Sequence, residues 1–137
     1  MSIKENKALV SRLYDAFDNG DLSHFSEFVD SKFVARVLGT TTLDWAGFQN
    51  FGALFRSAFP DGRHVFEHIV ADEENVVTIG WYQGTHMGEL DHMPATNLEL
   101  RLPVMHLDRV KNGKLVEHRG LANERDLAQQ LSANDAG

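Results

Sequence analysis

Four short segments in the second half of the chain decide the fold. Residues 58–64 read AFPDGRH, residues 80–90 read GWYQGTHMGEL, residues 109–123 read RVKNGKLVEHRGLAN and residues 127–131 read LAQQL. In order, they are typical of a turn, a long extended segment, a hairpin and a short closing helix. This order predicts a small cupped domain that folds around a hydrophobic pocket, with several histidines close to that pocket.

The rest of the second half reads as a meander of strands, because the apolar pattern changes from a helical to an extended period after Pro60. Asn112-Gly113 is the turn between the last two strands, and the acidic run from Asp72 to Asn75 is the turn between the first two. The predicted strands are 64–71, 75–88, 98–110 and 114–122, and a short helix follows over 124–131.

The first half predicts three helices and a strand. Apolar residues of 3–18 fall at helical spacing until Asn19-Gly20, and Asp21 can cap a short second helix. A strand over 32–38 and a loop of Gly39 and three threonines come next, before Asp44 caps a third helix. Helices followed by a meander imply an α+β fold, with helices packed on one face of a mostly antiparallel, curved sheet. The concave side of such a sheet leaves a conical cavity for a ligand.

Composition narrows the function classes. The chain has 137 residues, 42% of them hydrophobic, which suits a single domain over 1–137 with a real core. Its net charge of −7 and its lack of a Lys/Arg cluster argue against nucleic-acid and anionic-membrane partners. There is no cysteine, no apolar run of membrane-spanning length and no apolar signal core at the N-terminus. We therefore expect a soluble cytoplasmic protein.

Histidines on neighbouring strands are the best candidates for acid/base chemistry, since imidazole titrates near neutrality. His106 and His118 lie on the last two strands, and the register of their hairpin decides whether they meet. A two-residue Asn-Gly loop places His106 opposite Arg119, whereas a three-residue loop places it opposite His118, with Gly120 on the same face. Asp108 shares the face of His106 and can orient a histidine. The alternative is that all three are ordinary strand residues.

Aromatic residues are predicted to supply the pocket walls. Tyr14 lies on the inner face of the first helix, where its hydroxyl can donate to an enolate oxygen or simply belong to the core. Phe51 and Phe55 of the third helix, together with Trp81 and Tyr82, are expected to give the pocket its apolar walls, although most of these residues can simply belong to the core. His86 can either contact substrate at the mouth of the pocket or support the following loop. The spacing of His64 and His68 gives no convincing metal site.

The chain as a whole resembles a known family. The matching pieces are Ala58-Phe59-Pro60-Asp61, Gly84-Thr85-His86-Met87-Gly88-Glu89, Asn112-Gly113-Lys114-Leu115-Val116-Glu117-His118 and Leu127-Ala128-Gln129-Gln130-Leu131. As a set they resemble the SnoaL-like polyketide cyclases (ester cyclases) of the NTF2-like superfamily. The resemblance implies a cone-shaped α+β barrel that is usually dimeric or larger, with no metal and no organic cofactor.

The resemblance also implies an intramolecular aldol closure of a polyketide ester, with a histidine and an aspartate as the acid/base pair. By motif position the histidine is His106, and the resemblance favours the register that brings it opposite His118. The aspartate position is occupied by Gly120, and a second aspartate of many relatives corresponds to Asn123, which we include among the ligand-binding candidates.

Two hypotheses follow. The chain is a cofactor-independent cyclase, isomerase or lyase acting on a small hydrophobic carbonyl compound, with His106 as the acid/base and His118 or Asp108 assisting. Alternatively, because the usual aspartate is absent, it is a non-catalytic small-molecule binding protein of the same fold. An enzyme should bring at least two titratable side chains within hydrogen-bond reach of one point in the cavity. In both cases we expect a homodimer, since the outer face of the sheet needs cover.

Overall fold

The structure is a computed structural model that describes residues 2–38 and 41–132. The α-helices are α1 (Ile3–Asn19), α2 (Leu22–Phe25), α3 (Trp45–Ala58) and α4 (Glu124–Leu131), and a 3-10 turn spans Ser26–Phe28. The strands are β1 (Val29–Val37), β2 (Thr41–Leu43), β3 (Arg63–Ala71), β4 (Asn75–Thr85), β5 (Glu99–Lys111) and β6 (Lys114–Ala122). The predicted α+β class, with its order of helices and strands, is confirmed.

The six strands form one sheet in the order β2-β1-β6-β5-β4-β3. All neighbours are antiparallel except β1 and β6, which run parallel. The loop predicted at the threonines is wrong for Thr41 and Thr42, because Thr41–Leu43 pairs with β1 and extends the sheet by one strand. Gly39 and Thr40 of the same predicted loop lie outside the described residues, as do Met1 and 133–137 of the predicted domain.

The helix ends follow from local side chains. Ser2 and Glu5 form a reciprocal capping box at the start of α1, and Gly20 ends that helix with φ of 75°, a conformation that suits glycine. Asp44 accepts the Gly47 amide at 2.8 Å to begin α3, as predicted. Within the described ranges, no helix is both long and apolar enough to cross a membrane.

Two irregularities in antiparallel strand pairs bend the sheet around the helices. The β3–β4 register shifts by one residue between Phe66 and His68, and the β5–β6 register shifts between Arg109 and Val110. An extra residue on one strand of an antiparallel pair bends and twists that strand. The resulting concave face packs against α1 and α3, and the helices and this face share one buried core.

The second irregularity resolves the alternatives for the hairpin, and neither predicted register is right. The turn has two residues, Asn112 and Gly113, both with positive φ, so Lys111 pairs with Lys114. The following bulge then moves the register by one, which pairs Asp108 with His118 and His106 with Gly120. This shift of one residue places His106, His118 and Gly120 on the same face of the sheet, as the three-residue loop would also have done.

Candidate active site

A buried carboxylate links three elements at the centre of the concave face. Asp108 on β5 is fully buried, and its two oxygens accept one hydrogen bond each. The Tyr14 hydroxyl of α1 donates to Oδ2 at 2.6 Å, and Nδ1 of His118, the residue paired with Asp108 on β6, lies 2.6 Å from Oδ1. A buried carboxylate requires such partners, because its desolvation otherwise costs several kcal/mol.

His106 lies beside this pair, and its other neighbour is a residue of β4. Its Nδ1 is 3.2 Å from the hydroxyl of Thr78, the residue directly opposite on β4. Its own partner on β6 is Gly120, whose missing side chain leaves space between the two imidazoles. A Cβ built on Gly120 would lie 3.3 Å from Nε2 of His118 and 3.9 Å from Nε2 of His106. The free ring nitrogens of both histidines therefore flank one point.

A second carboxylate–imidazole pair was not predicted. Asp18, near the end of α1, accepts the backbone N–H of His64 at 2.8 Å through Oδ2 and lies 2.7 Å from Nδ1 of that residue through Oδ1. Two signals in the sequence point to it. Asp18 is four residues after Tyr14, on the same helical face, and His64 begins the strand that follows the Pro60 turn. Neither signal says that the two elements touch.

The three imidazoles line a common cavity of about 70 Å³. The ring centroids of His64 and His106 are 5.4 Å apart, and those of His106 and His118 are 5.5 Å apart. The remaining wall is mainly apolar. It consists of Phe17, Val37, Leu38, Phe51, Phe55, Tyr82, Leu102, Val104, Gly120, Leu121, Ala122, Glu124 and Leu127. Phe51 and Phe55 thus lie where the sequence analysis expects them.

Burial controls the protonation of this cluster. It lowers the pKa of His106 well below the ordinary 6.5, and repulsion from the neighbouring His118 and His64 imidazoles lowers it further. Burial, together with the neighbouring Asp108 carboxylate, raises the pKa of Tyr14 well above 10. At neutral pH His106 is therefore a neutral imidazole, and Tyr14 is a phenol that donates to Asp108.

Four predicted ligand-binding residues do not line the cavity: Tyr14, whose hydroxyl donates to Asp108 and not to a ligand, and Trp81, His86 and Asn123. Trp81 lies on the outer face, where its ring stacks under Arg101 at 3.8 Å and its Nε1 donates to Gln83. The expectation that it lines the pocket is wrong, because strand alternation turns its neighbour Tyr82 inward instead. His86 is fully buried against Phe59 and bonds the Thr96 hydroxyl at 3.0 Å. This favours the loop-supporting alternative over a pocket contact.

Asn123 has a local structural role. Its side chain caps α4 by accepting the amide of Asp126 at 3.2 Å, and it is exposed. The cavity wall at this end comes instead from its neighbours Ala122 and Glu124. Within residues 2–38 and 41–132, no three His, Cys, Asp or Glu side chains are arranged to hold a metal ion.

Comparison with known proteins identifies the family. A family model for the SnoaL-like polyketide cyclase matches residues 7–131, which is most of the chain. The chain belongs to this family. No curated protein matches the chain. The resemblance drawn from the sequence segments is thereby confirmed.

Solved structures share the fold over almost the whole chain. A protein of Jannaschia sp. CCS1, provisionally assigned as a SnoaL-like polyketide cyclase, superposes with a TM-score of 0.87 at 19% identity, covering 96% of this chain and 94% of that one. AclR of Streptomyces galilaeus, provisionally assigned as a hydroxylase, gives 0.85 at 26% identity, with coverages of 96% and 98%. IdmH of Streptomyces antibioticus, provisionally assigned as a polyketide cyclase, gives 0.80 at 25% identity, with coverages of 91% and 96%.

Of the two aspartate positions at which this chain differs from the SnoaL-like pattern described above, Gly120 lies within the site and Asn123 does not. The resemblance places the family's aspartate at Gly120, where a side chain would point at Nε2 of both His118 and His106. Here the carboxylate that touches an imidazole of this pair is Asp108, and it binds His118 at Nδ1. The carboxylate therefore lies behind the imidazole, on the side away from the cavity, and Nε2 is left free to face a ligand.

Proposed function

We propose that this SnoaL-like protein catalyses cofactor-independent acid/base chemistry, such as aldol cyclisation, isomerisation or dehydration, on a hydrophobic carbonyl compound. The observation that carries the proposal is the convergence of two free imidazole nitrogens. Nε2 of His118 and Nε2 of His106 lie 3.3 and 3.9 Å from the Cβ position of Gly120, in an otherwise apolar wall. A substrate carbonyl group in the cavity in front of Gly120 would face both nitrogens.

His118 is proposed as the base that removes the α-proton. A carboxylate at Nδ1 keeps the proton of a neutral imidazole on that nitrogen, so Nε2 presents a lone pair to the cavity. When Nε2 takes up a proton, Asp108 balances the new positive charge. Because the Tyr14 hydroxyl also donates to Asp108, the carboxylate is held in one orientation for this task.

His106 is proposed as the group that stabilises the enolate. Its lowered pKa keeps it neutral, so it acts as a hydrogen-bond donor. If the Thr78 hydroxyl donates to Nδ1, Nε2 carries the ring proton and can donate it to the carbonyl oxygen as negative charge develops there. A neutral imidazole in this role avoids placing a second full positive charge beside His118.

The pocket walls support a neutral, hydrophobic substrate. Among the residues that line the cavity there is no Lys or Arg, and the one carboxylate is Glu124 on α4. The rings of Phe17, Phe51 and Phe55 suit an aromatic or polyketide-like carbon skeleton. The assignments of IdmH as a cyclase and AclR as a hydroxylase show that related chains have been given different chemistries on this fold. The substrate must therefore be found by experiment.

Proton exchange tests the proposal without a known product. The protein is incubated in deuterated water with a panel of aromatic and polyketide-like ketones and esters, and deuterium uptake at the α-carbon is followed by NMR. We expect His118→Gln to reduce the exchange rate by at least about 100-fold, as for loss of a general base. The exposed His24 provides the control, and His24→Gln should exchange like the wild type.

The binding-protein alternative makes a different prediction in the same assay. A binder would hold some of these ketones, detected by calorimetry or by a rise in melting temperature, yet would not accelerate exchange. Binding with no exchange by the wild-type protein would contradict the enzymatic proposal and favour the alternative.

We also propose that the chain forms a homodimer through the outer face of the sheet. Val70 and Met105 are about half exposed there, at 59% and 48% of their surface. Exposed apolar groups of this size favour association. Light scattering should report a dimer for the wild type and a monomer for Met105→Glu. A wild-type monomer would contradict this proposal.

A further inference from the structure

The Asp18–His64 pair has the same construction as the pair that we assign to the base. In each, a carboxylate oxygen lies within 2.7 Å of Nδ1, and in each the histidine lines the cavity. The two pairs come from different halves of the chain, with His64 on β3 and His118 on β6. An imidazole held in this way presents Nε2 and has its positive charge balanced from behind when it is protonated.

His64 lines the cavity, and its free nitrogen is not fully buried. Among the described residues, the fully buried side-chain atoms that lack a hydrogen-bond partner are Asn6 Oδ1 and His86 Nε2. Nε2 of His64 is not among them, although no hydrogen bond of the described residues uses it. With its side chain only 7% exposed, His64 reaches outside the protein mainly through the pocket.

The position of His64 suits an atom beyond the carbonyl group. His106 lies between the other two histidines, 5.4 Å from His64 and 5.5 Å from His118 between ring centroids. If His118 and His106 act on the α-carbon and the carbonyl oxygen, His64 faces the next part of the same substrate. The Tyr14 ring packs against both His64 and His106, with ring centroids 4.9 and 4.8 Å away.

We propose that His64 is a second proton-transfer residue, which protonates the hydroxyl group that leaves when a β-hydroxy carbonyl compound loses water. This inference rests on the proposed function. His118 takes the α-proton and His106 stabilises the enolate. The enolate electron pair then re-forms the carbonyl and the carbon–carbon double bond forms, while the β-carbon–oxygen bond breaks. The leaving oxygen keeps the electron pair of the broken carbon–oxygen bond, accepts the Nε2 proton of His64 and departs as water. His64 enters this step in its protonated form, with Asp18 balancing its charge, and ends it as a neutral imidazole. Hydroxide is a poor leaving group. Proton transfer to the leaving oxygen is therefore the step that a second acid accelerates.

The assay separates the two steps on one probe. The probe is 4-hydroxy-4-phenylbutan-2-one in deuterated water, a hydrophobic β-hydroxy ketone. Deuterium uptake at C3, the α-carbon next to the hydroxyl-bearing carbon, is followed by NMR and reports removal of the α-proton by the base. Formation of 4-phenylbut-3-en-2-one is followed by ultraviolet absorbance and reports loss of water. The quantity compared is the ratio of the dehydration rate to the exchange rate.

We expect His64→Gln to lower this ratio by about 100-fold, the lower end of what a general acid contributes. Gln keeps an N–H donor for Asp18, and the melting temperature checks that the fold is retained. His68→Gln is the matched control, because His68 lies on the same strand and is exposed. It should give the wild-type ratio. If His64→Gln does not fold, Asp18→Asn serves in its place and should lower the same ratio.

The possible outcomes distinguish this inference from the function on which it rests. A wild-type ratio in His64→Gln would overturn the role of His64 and leave the proposed function standing. An equal loss of exchange and dehydration, together with a lower melting temperature, would show that His64 is structural and would also overturn it. Absence of both reactions in the wild-type protein would overturn the proposed function and this inference with it.

Discussion

The two carboxylate–imidazole pairs hold their histidines by the same atom but in different surroundings. Asp108 and His118 lie opposite each other on neighbouring strands, with side chains 0% and 4% exposed. Asp18 and His64 join the end of a helix to the start of a strand, with side chains 14% and 7% exposed. The first pair is sealed inside the domain, whereas the second lies where the cluster approaches the surface.

This difference shows how burial sets the number of partners a carboxylate needs. A sealed carboxylate cannot use water, so Asp108 has both oxygens bonded by protein groups, one of them the Tyr14 hydroxyl. Asp18 bonds two groups of a single residue and keeps some contact with solvent. Disruption of the sealed Asp108–His118 pair should therefore lower the free energy of unfolding more than disruption of the partly open Asp18–His64 pair.

The largest effect is expected for Asp108→Asn. The amide cannot balance the charge of a protonated His118 and no longer fixes its tautomer, so turnover should fall by about 10³- to 10⁴-fold. Loss of one partner of a sealed pair should also lower the free energy of unfolding by about 3–5 kcal/mol. Urea denaturation and the exchange assay measure the two effects. Wild-type exchange in a folded Asp108→Asn variant would remove His118–Asp108 from the mechanism.

Tyr14→Phe should have the next largest effect. It deletes one hydrogen bond to a buried carboxylate while keeping the ring that packs on the imidazoles, so stability should fall by about 1.5–3 kcal/mol. Tyr82→Phe is the matched control, because no hydrogen bond of the Tyr82 hydroxyl is found among the described residues. Denaturation curves should show a clearly smaller loss for Tyr82→Phe. Equal losses would mean that the Tyr14–Asp108 bond contributes little.

Asp18→Asn tests the partly open pair and should cost less. Asn keeps an oxygen that can accept the His64 backbone N–H, and the pair retains some solvent, so we expect a loss of about 1 kcal/mol. A loss as large as that of Asp108→Asn, measured under the same denaturation conditions, would contradict the comparison between the two pairs. Both pairs would then contribute about equally to the free energy of unfolding despite their different burial.

Local signals predicted the fold and one face of the site. The Asp44 cap, the Asn19-Gly20 stop and the Asn112-Gly113 turn each act within a few residues, and all are found in the structure. The shared face of His106 and Asp108 follows from strand alternation, whereas Gly120 joins that face only through the bulge in β6. The partner of each residue was not predicted, because the bulge beyond the turn has no clear signature in the sequence.

Contacts between distant elements could not be predicted in the same way. Asp18 and His64 are 46 positions apart, and their contact depends on how α1 crosses β3. The prediction that Trp81 lines the pocket was wrong for a different reason. Trp81 and Tyr82 are adjacent aromatic residues in a strand, so the pattern alone does not say which of the two points inward. The pairing of β4 with β3 and β5 in the folded sheet decides which of the two faces the core.

The smallest expected effect is a pH dependence of stability that comes from His106. Because burial lowers the pKa of folded His106 well below 6.5, the unfolded chain takes up a proton there as the pH falls through 6.5, while the folded chain does not. This histidine therefore destabilises the folded state towards acid, by less than about 1 kcal/mol between pH 7 and pH 6. His106→Asn should flatten the curve of unfolding free energy against pH over this range. Because other groups titrate in both proteins, the difference between the two curves is the measurement, and parallel curves would show that folded His106 takes up its proton as readily as unfolded His106. The cluster would then hold its positive charge on the histidine that lies between the two pairs, and the neutral donor role assigned to His106 would be lost.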